Sequence, residues 1–197
     1  MAKILQSKLA VGVLWTATLL LFSFGAYELG SLAEARYERL TERADAVSKL
    51  MDQGRYDEAI QIRLDENKAG RPDGYTFDGI ALIYLERAKN DLANRQRWVQ
   101  QASLYYDKAT AAAPRNPFIL ENAMDGYNRL GDYIEKGCPD YEKAIGFGDA
   151  AVALLQGSTV TVEGQRRPYP TQPIRESIEP RLKRIRGKVE AWCRKTS

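Results

Sequence analysis

The sequence predicts an all-α protein: one apolar helix near the N-terminus, a series of stacked helical hairpins, and a basic closing helix. Three observations carry this. Residues 9–27 form an uncharged run of 19. After the span the chain offers helix formers with almost no β-branched runs, and Gly54 ends the first of them. Near the C-terminus, Ile178, Leu182, Ile185, Val189 and Trp192 step by 4, 3, 4 and 3, tracing one apolar stripe. The chain has 197 residues, 28% charged and 44% hydrophobic, which suits one folded domain with an appendage. Mean hydropathy is −0.45 despite the apolar run, so the remainder is decidedly polar.

The apolar run, LAVGVLWTATLLLFSFGAY, follows a short tail (1–8) and reads as a transmembrane helix over 9–27. At 1.5 Å per residue it covers roughly 28 Å, close to the hydrocarbon thickness of a bilayer. Tyr27 sits at interfacial depth, while Trp15 lies mid-span. A cleaved signal peptide is the competing reading, but it wants a shorter apolar region and a prompt small-x-small site. Ser23-Phe24-Gly25 cuts inside the run and Ser31-Leu32-Ala33 comes late. Lys3 and Lys8 precede the span, and Arg36, Arg39 and Arg43 follow it, so the positive-inside count is nearly level. The basic residues after the span are interleaved with acids, and a short N-tail is the usual geometry of a signal anchor. We therefore expect a single-pass protein of an inner membrane, with its C-terminal domain in the periplasm or otherwise outside the cytoplasm.

Residues 28–39 suit a solvated helical linker that continues the span. Segment 40–73 then contains GRYDEAI, in which Gly54 falls mid-hairpin and Tyr56 and Ala59 begin a second helix. That segment is 34 residues long and resembles one tetratricopeptide repeat (TPR), with Val47 where a small residue is usual and Glu66 where alanine is. In 74–116, Ile80, Ala81 and Tyr84 resemble the first-helix core, and Ala102, Ala109 and Pro114 fall at family spacing, with a hairpin about nine residues longer than the family's. In the third, Leu120, Ala123, Tyr127 and Gly131-Asp132-Tyr133 look like a first helix and its turn, and Ala144 and Ala151 mark a second helix after another extended turn. The resemblance covers 40–156 and implies a right-handed superhelix of about three degenerate hairpins. The physics points the same way. Small residues let paired helices approach closely, aromatics fill the gaps beside them, and about three hairpins must stack to bury a core. An unrelated helical bundle with coincidental Ala and Tyr spacing is the plainer alternative.

Residues 157–176 carry β-branched residues, a Glu-Gly turn and three prolines, and read as a long loop with a short hairpin. The closing helix is expected over 177–196, with Ser177 as N-cap and Pro180 in the first turn.

Composition excludes several chemistries. With no His and two Cys, the chain cannot build an imidazole-based triad, a His-ligated metal or a four-thiolate site. Gly146-Phe147-Gly148-Asp149-Ala150-Ala151 matches a dinucleotide pattern, but it follows YEKAI inside a helical stretch rather than a strand. Asp57-Glu58 are ordinary helix-start acids. We expect no catalytic residues, no metal and no cofactor.

Partner surfaces are legible in outline. Residues 165–197 hold ten Lys or Arg against three Glu, an excess of +7 that leaves −4 for the first 164 residues. Arg166, Arg167, Arg181, Lys183, Arg184, Arg186 and Lys188 are thus candidates for contact with an acidic partner or lipid headgroups, or form a solvated face. The resemblance places a partner groove along the first helices. Its residues are Thr41, Ala44, Ser48 and Met51; then Tyr75, Asp78, Leu82 and Leu85; then Phe118, Glu121, Asp125 and Asn128. This apolar and acidic lining suits a protein or peptide with apolar and basic residues. The carboxylate clamp of chaperone-binding members is not carried over, because Ala44, Ser48, Glu121 and Asp125 stand at its positions. Nucleic acid is not an expected partner of an exported domain. Cys138 and Cys193 form the only intramolecular pair available in an oxidising compartment, with two free thiols as the alternative. The expected function is a membrane-anchored interaction scaffold. Its rivals are a structural subunit held by its membrane helix, and an exported binding protein if the N-terminus is cleaved.

Overall fold

A computed structural model describes residues 42–134, 137–156, 159–162, 165–168 and 172–193. The chain divides into two compact units, residues 1–46 and 47–197. Only 42–46 are described in the first, so the architecture below is that of the second. The candidate membrane helix 9–27, the linker 28–39 and Thr41 lie outside the described residues. Among the described residues no helix is long and apolar enough to cross a membrane.

The described residues are almost entirely helical. Helix α1 covers 42–52. It is followed by α2 (Tyr56–Lys68), α3 (Asp73–Asn90), α4 (Arg95–Ala112), α5 (Pro117–Tyr133), α6 (Cys138–Gln156) and α7 (Gln172–Lys188), which runs into a π-helical turn at Val189–Cys193. Between α6 and α7, β1 (Thr159–Val162) and β2 (Gln165–Pro168) form an antiparallel ladder with Val162 opposite Gln165.

Helix ends follow from local sequence. Gly54 and Gly70 have φ of 73° and 95°. At each, the following amide reaches back five residues, Arg55 N to Leu50 O at 2.8 Å and Arg71 N to Glu66 O at 2.9 Å. These are Schellman closures, which a residue with a Cβ would strain. Helix α5 starts on Asn116, whose side chain accepts from the Phe118 and Ile119 amides, with Pro117 in the first turn.

Helices pair as hairpins, α3 with α4 and α5 with α6, and these two stack through α3, α4 and α5. The seams are lined by residues with no exposed surface, Ala81, Ala88, Ala102 and Ala109 in one hairpin and Ala123, Ala144 and Ala151 in the other. Between the hairpins the core holds Tyr106, Met124, Tyr127 and Leu130; Ile178, Leu182 and Ile185 of α7 close its far side. Val47, Tyr56, Ala59, Ile60, Ile80 and Ile83 form a second cluster under α2 and α3. Each fully buried Leu or Ile contributes about 1.5–3 kcal/mol of transfer free energy.

Two expectations about connections are corrected. The second and third hairpins do not have extended turns. Helices α3 and α4 are 18 residues each, α5 is 17 and α6 is 19, so the surplus residues lengthen helices. The connections are only 91–94 and 134–137, and Cys138 is the first residue of α6. The α3–α4 turn stays tight because Asp91 accepts from the Asn94 amide and from Trp98 Nε1. Helix α7, in turn, starts at Gln172, so Ser177 is not its N-cap and Pro180 lies in its interior. Pro173 fits the first turn, where an amide hydrogen has no intrahelical partner, and this lets helix form ahead of Ser177. The amide that Pro180 lacks is a lost bond within the helix.

Candidate functional site

Polar rungs join α5 to α3, on which it packs, and α7 to α5. From α5 to α3, Asn116 Nδ2 donates to Tyr75 Oη at 2.9 Å, Asn122 Nδ2 to Asp78 Oδ2 at 2.8 Å, and Arg129 Nη2 to Glu86 Oε2 at 3.2 Å. From α7 to α5, Arg181 reaches both Glu121 and Asp125. Lys188 Nζ donates to Asn128 Oδ1 at 2.9 Å and to Asp132 Oδ1 at 2.6 Å. In each of these rungs the later helix supplies the donor and the earlier one the acceptor. Helix α7 packs on α6 and reaches α5 through these long side chains.

This arrangement divides the expected groove. Glu121, Asp125 and Asn128 do come together on α5, but they face Arg181 and Lys188 of the same chain. Arg181, Arg186 and Lys188, candidates for contact with an acidic partner or lipid headgroups, are thus engaged within the chain. Arg186 pairs with Asp149 at 2.6 Å, and Lys188 and Arg181 are held as above. Lys183 and Arg184 remain exposed, and Arg166 and Arg167 are placed only as backbone positions of β2. Leu85 is also corrected: it has no exposed surface and belongs to the core. On α1, Ala44 and Ser48 are exposed and Met51 is half-buried.

What stays open is the α3–α5 part of the face. Tyr75, Leu82 and Phe118 are 38%, 44% and 53% exposed, large apolar surface on two adjacent helices. A hollow of about 240 Å³ lies between these helices, lined by Asp78, Leu82, Leu85, Tyr106, Gly126 and Arg129 among others. A second of about 570 Å³ lies beside Tyr75 and Phe118 at the α4–α5 turn. Burial pushes the Asp78 carboxyl up to about 6, against the Asn122 hydrogen bond and the more distant Arg71 and Arg63, which favour the charged form. Burial likewise raises Asp125, against the attraction of Arg181.

Arg63 and Arg71 are committed elsewhere. Both donate through Nη1 to the buried Glu66, at 2.9 Å each. The Glu66 that departs from the repeat pattern is therefore the buried anchor of a partly buried ion triplet at the α2–α3 junction. Tyr106, Asn122 and Arg129 went unnoticed in the sequence as site residues. The only available signal was the seven-residue step from Asn122 to Arg129 along α5, which becomes specific once α3 and α5 are known to be neighbours.

Cys138 and Cys193 are joined as a disulfide with Cα atoms 5.8 Å apart, tying the end of the π-helical turn to the start of α6. Trp192 beside it lies 6.1 Å from the Tyr141 ring and is 57% exposed. Among the described residues no group of three or more His, Cys, Asp or Glu could hold a metal ion. No family model, no curated protein and no solved structure matches the chain.

Proposed function

We propose that the chain is a non-catalytic, TPR-like scaffold that captures a protein or peptide partner on its α3–α5 face. In this reading it is anchored through residues 9–27, with the helical unit outside the cytoplasm. The observation that carries the proposal is the exposure of Tyr75, Leu82 and Phe118 on adjacent helices, Leu82 at one hollow and Tyr75 and Phe118 at the other. Contiguous apolar surface rimmed by polar groups is what a monomer needs least and an interaction site needs most. The Cys138–Cys193 bond accords with an oxidising compartment. The test is Leu82→Asp: partner capture from intact membranes by crosslinking should fall while helical content by circular dichroism is kept. Undiminished capture by the folded variant would remove the proposal.

A second reading is a single-pass subunit of a larger membrane complex, held mainly by its membrane helix. What favours it is that α7 already engages Glu121, Asp125 and Asn128, so part of the expected groove is covered within the chain. In that case crosslinks map to residues 9–27 and are indifferent to Leu82→Asp.

A further inference from the structure

The stripe Tyr75, Asp78, Leu82 on α3 sets a carboxylate between two exposed apolar side chains at steps of three and four residues. From this juxtaposition we infer that the α3–α5 hollow is a receptor for a basic amphipathic helix, with Asp78 taking one Arg or Lys side chain between two apolar anchors. The inference rests on the scaffold reading and names the chemistry of its partner.

Asp78 is the charge of the hollow that has no ion-pair partner among the described residues. The groups that face it come from α2, the α2–α3 connection, α5 and α4. Arg63 on α2 and Arg71 in the connection are bound to Glu66. On α5, Arg129 is bound to Glu86, Asp125 to Arg181, and Asn122 gives Asp78 an amide hydrogen bond but no charge. On α4, Tyr106 adds a buried ring and a phenol that burial keeps protonated. A carboxylate held in a partly desolvated hollow without a cation gains more from a cation than an exposed one does, because the local dielectric is low and much of its hydration is already lost. An Arg or Lys stem is itself apolar and can lie along Leu82 while its head reaches Asp78.

The hollow has a fixed floor. A Cβ on Gly126 would lie 2.3 Å from the Tyr106 ring, so that ring rests directly on the α5 backbone, and Leu85 beside it has no exposed surface. A preformed pocket spares a ligand the cost of ordering its receptor. The anchors flank it along the helix. Tyr75 and Leu82 are seven residues apart, about 10 Å along the axis, which matches positions i and i+7 of a bound helix with the cation between them. The chain already contains a helix of this pattern docked beside an acidic one. On α7, Ile178 and Ile185 are buried on either side of Arg181, which sits between Glu121 and Asp125.

The test uses the full chain in detergent micelles and a labelled alanine- and glutamine-based helical peptide bearing Leu, Arg and Leu at i, i+3 and i+7. Its counterpart has Gln in place of Arg. Fluorescence anisotropy should show the Arg peptide binding about tenfold or more tighter than the Gln peptide, the scale of one hydrogen-bonded charge. Asp78→Asn should abolish that preference and leave the weaker apolar binding. Equal affinities, a preference that survives Asp78→Asn, or no binding by either peptide would each overturn the inference. If the preference is missing while Leu82→Asp still abolishes partner capture in membranes, the scaffold stands and only the basic partner is lost. If the preference is present while capture ignores Leu82→Asp, the hollow binds cations but the scaffold reading fails.

Discussion

The ring of Tyr106 occupies the space that a side chain on Gly126 would need, with the nearest ring atoms 2.3 Å from an ideal Cβ. Tyr106 is 3% exposed and lies 6.0 Å from the ring of Tyr127, so it has nowhere to withdraw. The contact is where the α3–α4 hairpin meets α5, and it sets how closely the two hairpins stack.

Gly126→Ala therefore trades a gain in helix propensity for a clash with a packed ring. The expected result is a net loss of about 1–3 kcal/mol in urea unfolding, of the size seen when a core is overpacked. Gly146→Ala is the control, because a Cβ there meets nothing within 4 Å, and it should be neutral or stabilising.

Leu82 and Leu85 lie three residues apart on α3 and should behave oppositely. Leu85→Ala is expected to cost about 2–5 kcal/mol, the range for emptying a buried leucine site. Leu82→Ala, at 44% exposure, should change unfolding free energy by under about 0.5 kcal/mol. A similar cost at both positions would mean the face is not open.

Asp78 gives a pH signature with a definite sign. Its folded-state carboxyl is raised to about 6, so between about 4 and 6 the folded chain binds more protons than the unfolded one. Its contribution is favourable at acid pH and is lost as pH rises through that window. Relative to wild type, Asp78→Asn should be more stable at pH 7.5 by up to about 2 kcal/mol, with little difference at pH 4. Asn retains an oxygen for the Asn122 amide. A pH-independent difference in urea unfolding would show that burial does not perturb this carboxyl.

The disulfide closes a separation of 55 residues. In the chain-entropy account, reduction costs roughly 4 kcal/mol, and the loss should begin at α7 because the bond holds its end against α6. Hydrogen exchange after reduction should show α7 amides losing protection ahead of those in α3 and α5. Loss of protection spread evenly over all helices would contradict this.

Much of the fold was legible because it depends on local pattern. Gly54, the Ala81 and Ala102 seams, the stripe of Ile178, Leu182 and Ile185, and the short hairpin after Gly157 all announce themselves within a few residues. The lengths of the hairpins did not, because surplus residues serve equally as loop or as extra helical turns until their packing is known. The site was half legible. Of the residues that the repeat resemblance put in the groove, Tyr75, Leu82 and Phe118 are exposed and Asp78 is half-buried, whereas Leu85 turns into the core. The pairing of Arg181 with Glu121 and Asp125 joins positions some 60 residues apart. A complementary stripe was there to read, with acids and Asn stepping 4, 3 and 4 along α5 and cations seven apart on α7. Nothing local says that those two helices are neighbours.

The measurement that bears most directly on the central claim is photocrosslinking in intact membranes from a reactive residue placed at Leu82, with Leu104 as control. Leu104 is a similarly exposed leucine, at 46%, but lies on α4 outside the α3–α5 face. The scaffold account predicts a discrete crosslinked partner from position 82 that is absent from position 104. Equal crosslinking from both positions, or crosslinks only from residues 9–27, would contradict it.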